Sequence, residues 1–286
     1  MSIRIDAHHH LWQVARGDYF WLTPALASIY RDFSLADLSP FLTRHGVAAT
    51  ILVQAAPTEA ETQFLLGVAE RNPVIAGVVG WTDFAADDSP ERIAALAANP
   101  LLVGLRPMVQ DIADDDWLLR PDLARAFAAL IRHRLVFDAL ALPRHLTRVR
   151  RVTEIHPDLV VVLDHFGKPP IAAGELDPWR EDVAALAARP NTLCKLSGLV
   201  TEARPDWQPD HLRPYVDHVL RCFGPDRVMW GSDWPVLNLA GDYHRWMEAS
   251  SALLADVPEP GRQAIYGGTA ARVYLSARGR RPSSPS

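Results

Sequence analysis

The 286-residue chain has only two cysteines, Cys194 and Cys222. They lie far apart and form no CxxC pair, which excludes a Cys-based zinc ribbon and a disulfide framework and fits a reducing compartment. No apolar run reaches the length of a membrane-spanning helix. The opening Met-Ser-Ile-Arg-Ile-Asp turns polar too early for a secretory leader, so a cytoplasmic protein without a membrane partner is expected. Basic charge is scarce too. Lys and Arg number 29 against 34 Asp and Glu, a formal net charge of −5. The one dense basic cluster, Arg278, Arg280 and Arg281, sits in a Pro/Ser-rich stretch, 277–286, that reads as a disordered tail. No nucleic-acid partner is expected. Also missing are a GxSxG nucleophile elbow, an HExxH zinc helix, a P-loop, and a GxGxxG after the first strand.

What remains is an ordinary globular composition, 49% hydrophobic and 22% charged, able to bury a large core without staples. Eight short runs rich in Val, Ile and Leu read as strands: Ile3–Ala7, Thr50–Gln54, Ile75–Trp81, Leu101–Arg106, Leu135–Leu140, Leu159–Asp164, Thr192–Leu196 and Arg227–Gly231. Between them lie stretches dominated by Ala, Leu, Glu and Arg, such as Thr58–Arg71, Pro90–Ala98, Pro121–Arg134 and Pro178–Ala188, which favour helix. Thr58 with Glu61, Ser89-Pro90-Glu91 and Asp177-Pro178 look like helix starts. Eight alternating units imply parallel strands with right-handed crossovers, hence a single-domain (β/α)8 TIM barrel over residues 1–276. A doubly wound open sheet is the alternative. Val14 to Asp32 lacks either periodicity and reads as a long loop after the first strand.

Barrel enzymes work at the carboxyl ends of their strands, so the polar residues ending each run carry the reading. The first run ends Asp6-Ala7-His8-His9-His10. Period two puts Asp6, His8 and His10 on one face and Ile3, Ile5, Ala7 and His9 on the other. If the apolar face meets the helices, His8 and His10 enter the barrel mouth, where two imidazoles can chelate a divalent cation; a hydrogen-bonded polar cluster is the plainer alternative. The sixth run ends in Asp164-His165. The eighth ends Gly231-Ser232-Asp233-Trp234-Pro235, a fixed turn presenting a carboxylate that could orient a water and take its proton; Asp is also common as a plain turn residue. Gln54, Arg106 and Lys195 end other runs as donors for hydroxyls or a carbonyl, although Arg106 and Lys195 equally suit ion pairs with neighbours such as Asp138. Trp21 and Trp81 offer flat faces for a sugar-like ring. Cys194, inside an apolar run, reads as core.

The segments IDAHHHLW, VVLDHFGKP, CKLSGLVTEA and MWGSDWPV, in this order from about Ile5 to Ala271, resemble the amidohydrolase superfamily, its amidohydrolase-2 branch and the sugar-lactonase group within it. The resemblance implies a (β/α)8 barrel, His8 and His10 as the first-strand pair, His165 as the sixth-strand histidine and Asp233 as the eighth-strand acid. Two-metal members of the superfamily carry a bridging lysine or glutamate on the fourth strand and a histidine on the fifth. Arg106 and Asp138 stand there instead, which implies one metal at most. Two routes stay open: one divalent ion, zinc first, on His8, His10 and Asp233, or a metal-independent site as in the pyrone-dicarboxylate lactonases of the same branch.

The expected reaction is hydrolysis of a sugar-derived lactone, an aldonolactone such as L-fuconolactone, to the open-chain acid. Asp233, His165 and Arg106 would be catalytic and Gln54, Lys195, Trp21 and Trp81 would bind the small-molecule substrate, with the Val14–Asp32 loop covering it. A decarboxylase of the same branch and a non-catalytic metal- or sugar-binding protein are the rivals. Oligomeric state is open.

Overall fold

The computed structural model describes residues 3–276; the tail expected over 277–286 lies outside the described residues. Eight strands form one parallel sheet in sequence order: β1 (Arg4–His9), β2 (Val47–Val53), β3 (Ile75–Gly80), β4 (Leu102–Leu105), β5 (Val136–Ala139), β6 (Val161–Leu163), β7 (Thr192–Leu196) and β8 (Val228–Trp230). The sheet closes on itself: His10 N–H donates to the Trp234 carbonyl and Asp233 N–H to the His8 carbonyl, each at 2.7 Å. This is a (β/α)8 barrel, and the open-sheet alternative falls. Among the described residues no helix is long and apolar enough to cross a membrane.

The helices on the outside are α1 (Leu35–His45), α2 (Glu59–Glu70), α3 (Ser89–Ala97), α4 (Ala124–His133), α5 (Leu146–Ile155), α6 (Trp179–Ala187), α7 (Pro209–Phe223), α8 (Tyr243–Leu253) and the short α9 (Glu259–Gln263). α2 starts as its sequence implies, with the Thr58 side chain accepting from Glu61 N–H at 3.1 Å. Two starts are shifted. Asp88, not Ser89, precedes α3, and α6 begins at Trp179 after Pro178. Proline is tolerated at either of the first helical positions because neither needs its N–H, so it marks the end of a helix only to within a residue.

The barrel interior is layered. Ile5, Ala7, Ile51, Val53, Val79, Val103, Val136, Val162, Leu193 and Met229 form an apolar floor with Val273 and Tyr274 of the C-terminal segment. That segment packs beside the start of β1, where Gly267 touches the Ile3 carbonyl so closely that a side chain would overlap it. Two residues further along three strands, the inward positions turn polar: Val136 gives way to Asp138, Val162 to Asp164 and Leu193 to Lys195.

β1 corrects the simple alternation. Its apolar residues Ile5 and Ala7 face the barrel interior, not the helices. Asp6 faces outward, where Tyr243 of α8 donates to it at 3.1 Å, and His9 points to Thr50 at 2.9 Å. A register shift between Asp6 and His9 breaks the period and turns His8 inward directly after Ala7. His8 and His10 do enter the mouth, but by way of a bulge.

Candidate active site

The buried polar layer is built around Asp164. Its carboxylate takes Lys195 Nζ at 3.0 Å on one oxygen and Arg106 at 3.2 Å on the other, and His8 Nδ1 lies 3.5 Å away. Lys195 also pairs with Asp138, which accepts from the Tyr274 hydroxyl at 2.8 Å. All these groups are buried. Burial acts to lift Asp164, but Lys195, His8 and Arg106 together hold it well below the usual carboxylate range. Asp138 has fewer cations, and burial pushes it up to about 6.

Above this layer three imidazoles converge on one oxygen of Asp233. His10 Nε2 lies 3.3 Å from Asp233 Oδ1, His8 Nε2 3.6 Å and His165 Nε2 3.8 Å. The turns that bring them there are strained. His165 (φ 53°), Phe166 (φ 55°) and Asp233 (φ 59°) all adopt the left-handed conformation, uncommon for such residues and typical of functional sites. Two glycines give the histidines room. A Cβ at Gly198 would lie 2.4 Å from His165 Nδ1, and one at Gly231 would lie 2.6 Å from His8 Cβ. Gly231 therefore serves by its small size rather than by an unusual φ.

Hydrogen bonds fix the ring orientations. His10 Nδ1 donates to the Val53 carbonyl at 2.8 Å, so in the neutral ring Nε2 is bare and faces a carboxylate. His165 Nδ1 pairs with Ser197 Oγ at 2.9 Å. Burial holds His165 at about 4 and His8 well below its ordinary value, so both are neutral imidazoles at neutral pH. Burial would raise Asp233, but the facing histidines, His165 foremost, hold it low and ionised.

A cavity of about 230 Å³ opens onto this cluster, lined by His10, Arg106, His165 and Asp233 together with Trp21, Leu26, Ala55, Met108, Gln110, Leu140, Lys168, Thr201, Glu202, Val236 and Leu239. Of the residues singled out in the sequence, His10, His165, Asp233, Arg106 and Trp21 border it. Trp21 is anchored by its indole N–H to the Ala55 carbonyl at 2.7 Å, so the Val14–Asp32 loop supplies one wall.

Three expectations need correction. Gln54 does not reach the cavity: it is fully buried, and its amide donates to the Arg106 carbonyl at 2.6 Å while its own carbonyl accepts from the Arg106 guanidinium. It holds Arg106 in place. Lys195 is likewise sealed beneath the mouth by its two carboxylates, the ion-pair alternative. Trp81 lines a neighbouring cleft. For Gln54 and Lys195, period two tells which way a side chain points but not how deep it lies; Trp81, one residue past β3, is placed by the path of the following loop. Residues that the sequence reading passed over, Met108, Lys168 and Glu202, come from loops; Lys168 and Glu202 pair at 3.3 Å on the cavity wall. Both sit inside segments that carried the family resemblance, which was the available signal.

The donor set fits a divalent ion. Ligand atoms of His8, His165 and Asp233 lie within 4.8 Å of one another, all are buried, and neutral imidazoles with a carboxylate are zinc-type ligands. At this mouth and the layer below it, three carboxylates (Asp138, Asp164, Asp233) face two cations (Arg106, Lys195). His10, given as a ligand in the sequence reading, approaches this set through Asp233. Arg106 stands 3.3 Å from His8 Nε2, and its guanidinium donates to that nitrogen.

A closed parallel barrel with three histidines, an arginine and an ionised aspartate gathered at its carboxyl-end mouth defines a hydrolytic barrel enzyme. The sequence profile of the Amidohydrolase family matches residues 5–275, and the chain belongs to that family. It is 47% identical over 280 residues to a Burkholderia ambifaria protein named L-fucono-1,5-lactonase, covering 96% of each chain. A protein of the same name from Burkholderia multivorans is 38% identical over 297 residues, again 96% of each. The crystal structure of an amidohydrolase from Burkholderia multivorans with bound zinc superposes with a TM-score of 0.90 at 37% identity, covering 96% of this chain and 99% of that one.

Proposed function

We propose that the protein hydrolyses a sugar-derived 1,5-lactone, L-fucono-1,5-lactone first among them, to the open-chain hydroxy acid. The observation that carries the reading is the convergence of His8, His10 and His165 on the single oxygen Asp233 Oδ1, within 3.8 Å, at the inner end of a small cavity. At about 230 Å³ the cavity is smaller than the roughly 300–1,000 Å³ of drug-sized ligand sites and suits one sugar ring.

Asp233, ionised at neutral pH, accepts a proton from water as the water oxygen bonds to the lactone carbonyl carbon. Arg106 stabilises the negative charge that grows on the carbonyl oxygen, joined by His165 in the tautomer whose Nδ1 accepts from Ser197 and whose Nε2 carries the hydrogen; one such donor is typically worth about 3–4 kcal/mol. The bond from that carbon to the ring oxygen then breaks. Asp233 returns its proton to the ring oxygen, which becomes the product hydroxyl, and the new carboxylic acid ionises to solvent. A divalent ion, zinc first by donor type, held by His8, His165 and Asp233 would polarise the carbonyl as a Lewis acid. Gln110, Lys168, Thr201 and Glu202 face the ring hydroxyls, and Trp21 covers the ring. Gln54 and Lys195 act from behind, holding Arg106 and Asp164.

The test is turnover of L-fucono-1,5-lactone followed by proton release, with carbon dioxide measured in parallel. Proton release well above the uncatalysed rate supports the reading. Carbon dioxide evolution from a carboxylated substrate with no lactone turnover would replace it with the decarboxylase alternative.

A further inference from the structure

A second cleft opens beside the catalytic cavity. It is larger, about 360 Å³, and Trp81, Phe20 and Trp117 line it together with the carboxylates of Asp83 and Asp111. Met108 lines both spaces. Phe20 and Trp21 are consecutive on the same loop, Trp21 walling the catalytic cavity and Phe20 the cleft, so the two are separated by about one side chain. Phe20 is 59% exposed, the most exposed large hydrophobic residue among those described. Its phenyl ring stands open over an aromatic-lined cleft at the active face.

The lining favours one chemistry. Aromatic faces accept the apolar face of a pyranose ring. Asp83 and Asp111 are exposed and accept hydrogen bonds from hydroxyls, and they repel anions. Asp83 takes Ala85 N–H at 2.9 Å on Oδ1, and among the described residues no group hydrogen-bonds its Oδ2. A phosphate or uronate would meet like charge; a simple aryl group would leave the carboxylates unused.

We propose that this cleft is a second carbohydrate subsite, which receives a neutral glycosyl substituent of a lactone whose ring lies in the catalytic cavity. The proposal rests on the lactonase reading above. It makes a glycosylated aldonolactone, the oxidised reducing end of a disaccharide, a substrate class of the enzyme.

The experiment uses the full chain and matched pairs of aldono-1,5-lactones, each bare and carrying a hexosyl group through a 1→3 or 1→4 link, with kcat/KM read by proton release. For at least one linkage the glycosylated lactone should be used as well as the bare one or better. Trp81→Ala should lower the ratio of glycosylated to bare kcat/KM roughly tenfold, the size of one lost ring contact. Phe20→Ala, at an exposed position that cannot upset folding, should lower it severalfold in the same direction. Turnover of bare lactones with every glycosylated one rejected, or a ratio unmoved by both substitutions, overturns the subsite alone. No turnover of any lactone overturns the lactonase reading itself and the subsite with it.

Discussion

The floor and the rim of this site are built on opposite principles. The floor, Asp138, Lys195, Asp164 and His8, comes from strands and their ends, His8 from the bulge within β1, is wholly buried, and pairs its charges with one another. The rim, Trp21, Met108, Lys168 and Glu202, comes from loops, and all but Met108 are partly exposed. Strand-borne groups keep a fixed geometry and suit the steps common to every substrate. Loop-borne groups can vary without disturbing the barrel and suit recognition of one ring over another.

Substitutions should separate the two. The largest effect is expected in the floor. Lys195→Met leaves Asp138 and Asp164 buried with a cation removed and should cost about 3–5 kcal/mol, read as a lowered denaturant midpoint; a midpoint unchanged from the parent would mean that the floor is not held by this pair. Next is Gly198→Ala, whose added methyl meets His165 at 2.4 Å. Relieving that overlap moves the ring by about 1 Å, which should lower kcat about 10²-fold with the circular dichroism of the folded barrel retained. At the rim, Trp21→Ala removes a wall and should raise KM roughly tenfold while kcat changes less than threefold; an equal loss in kcat would move Trp21 from recognition into the chemistry.

The smallest effect concerns the loop anchor. Glu61 accepts Ala55 and Ala56 N–H at 2.7 to 3.0 Å, and burial pushes it up to about 8. Between its ordinary value near 4.5 and 8 the folded protein binds the proton that the unfolded chain has lost. Its contribution to stability is therefore full below pH 4.5 and declines as pH rises through 8. Thermal midpoints at pH 5 and pH 8 should show a smaller decline in Glu61→Gln than in the parent; equal declines would remove Glu61 from the account.

The same contrast explains what could be read from the sequence. All eight strands were visible because strands buried on both faces are unbroken Val/Ile/Leu runs, and His10, His165, Asp233 and Arg106 were visible because each ends such a run. Depth was not visible: Gln54 and Lys195 point inward like Arg106, yet lie one layer below the cavity. The inward turn of His8 was reached through the wrong face, because a bulge leaves no mark on hydrophobic alternation. The rim was least legible. Met108, Gln110 and Glu202 belong to connections without periodicity, and the partition of Trp21 and Trp81 between two cavities depends on the path of loops that only coordinates supply.

One measurement bears most directly on the role given to Asp233. Asp233→Asn keeps the size of the side chain and removes the proton acceptor. With folding verified, its kcat on the best lactone should fall roughly 10²–10⁴-fold, the range for loss of a general base, at every pH from 6 to 9. Turnover at the parent rate would contradict a mechanism in which this carboxylate activates the water.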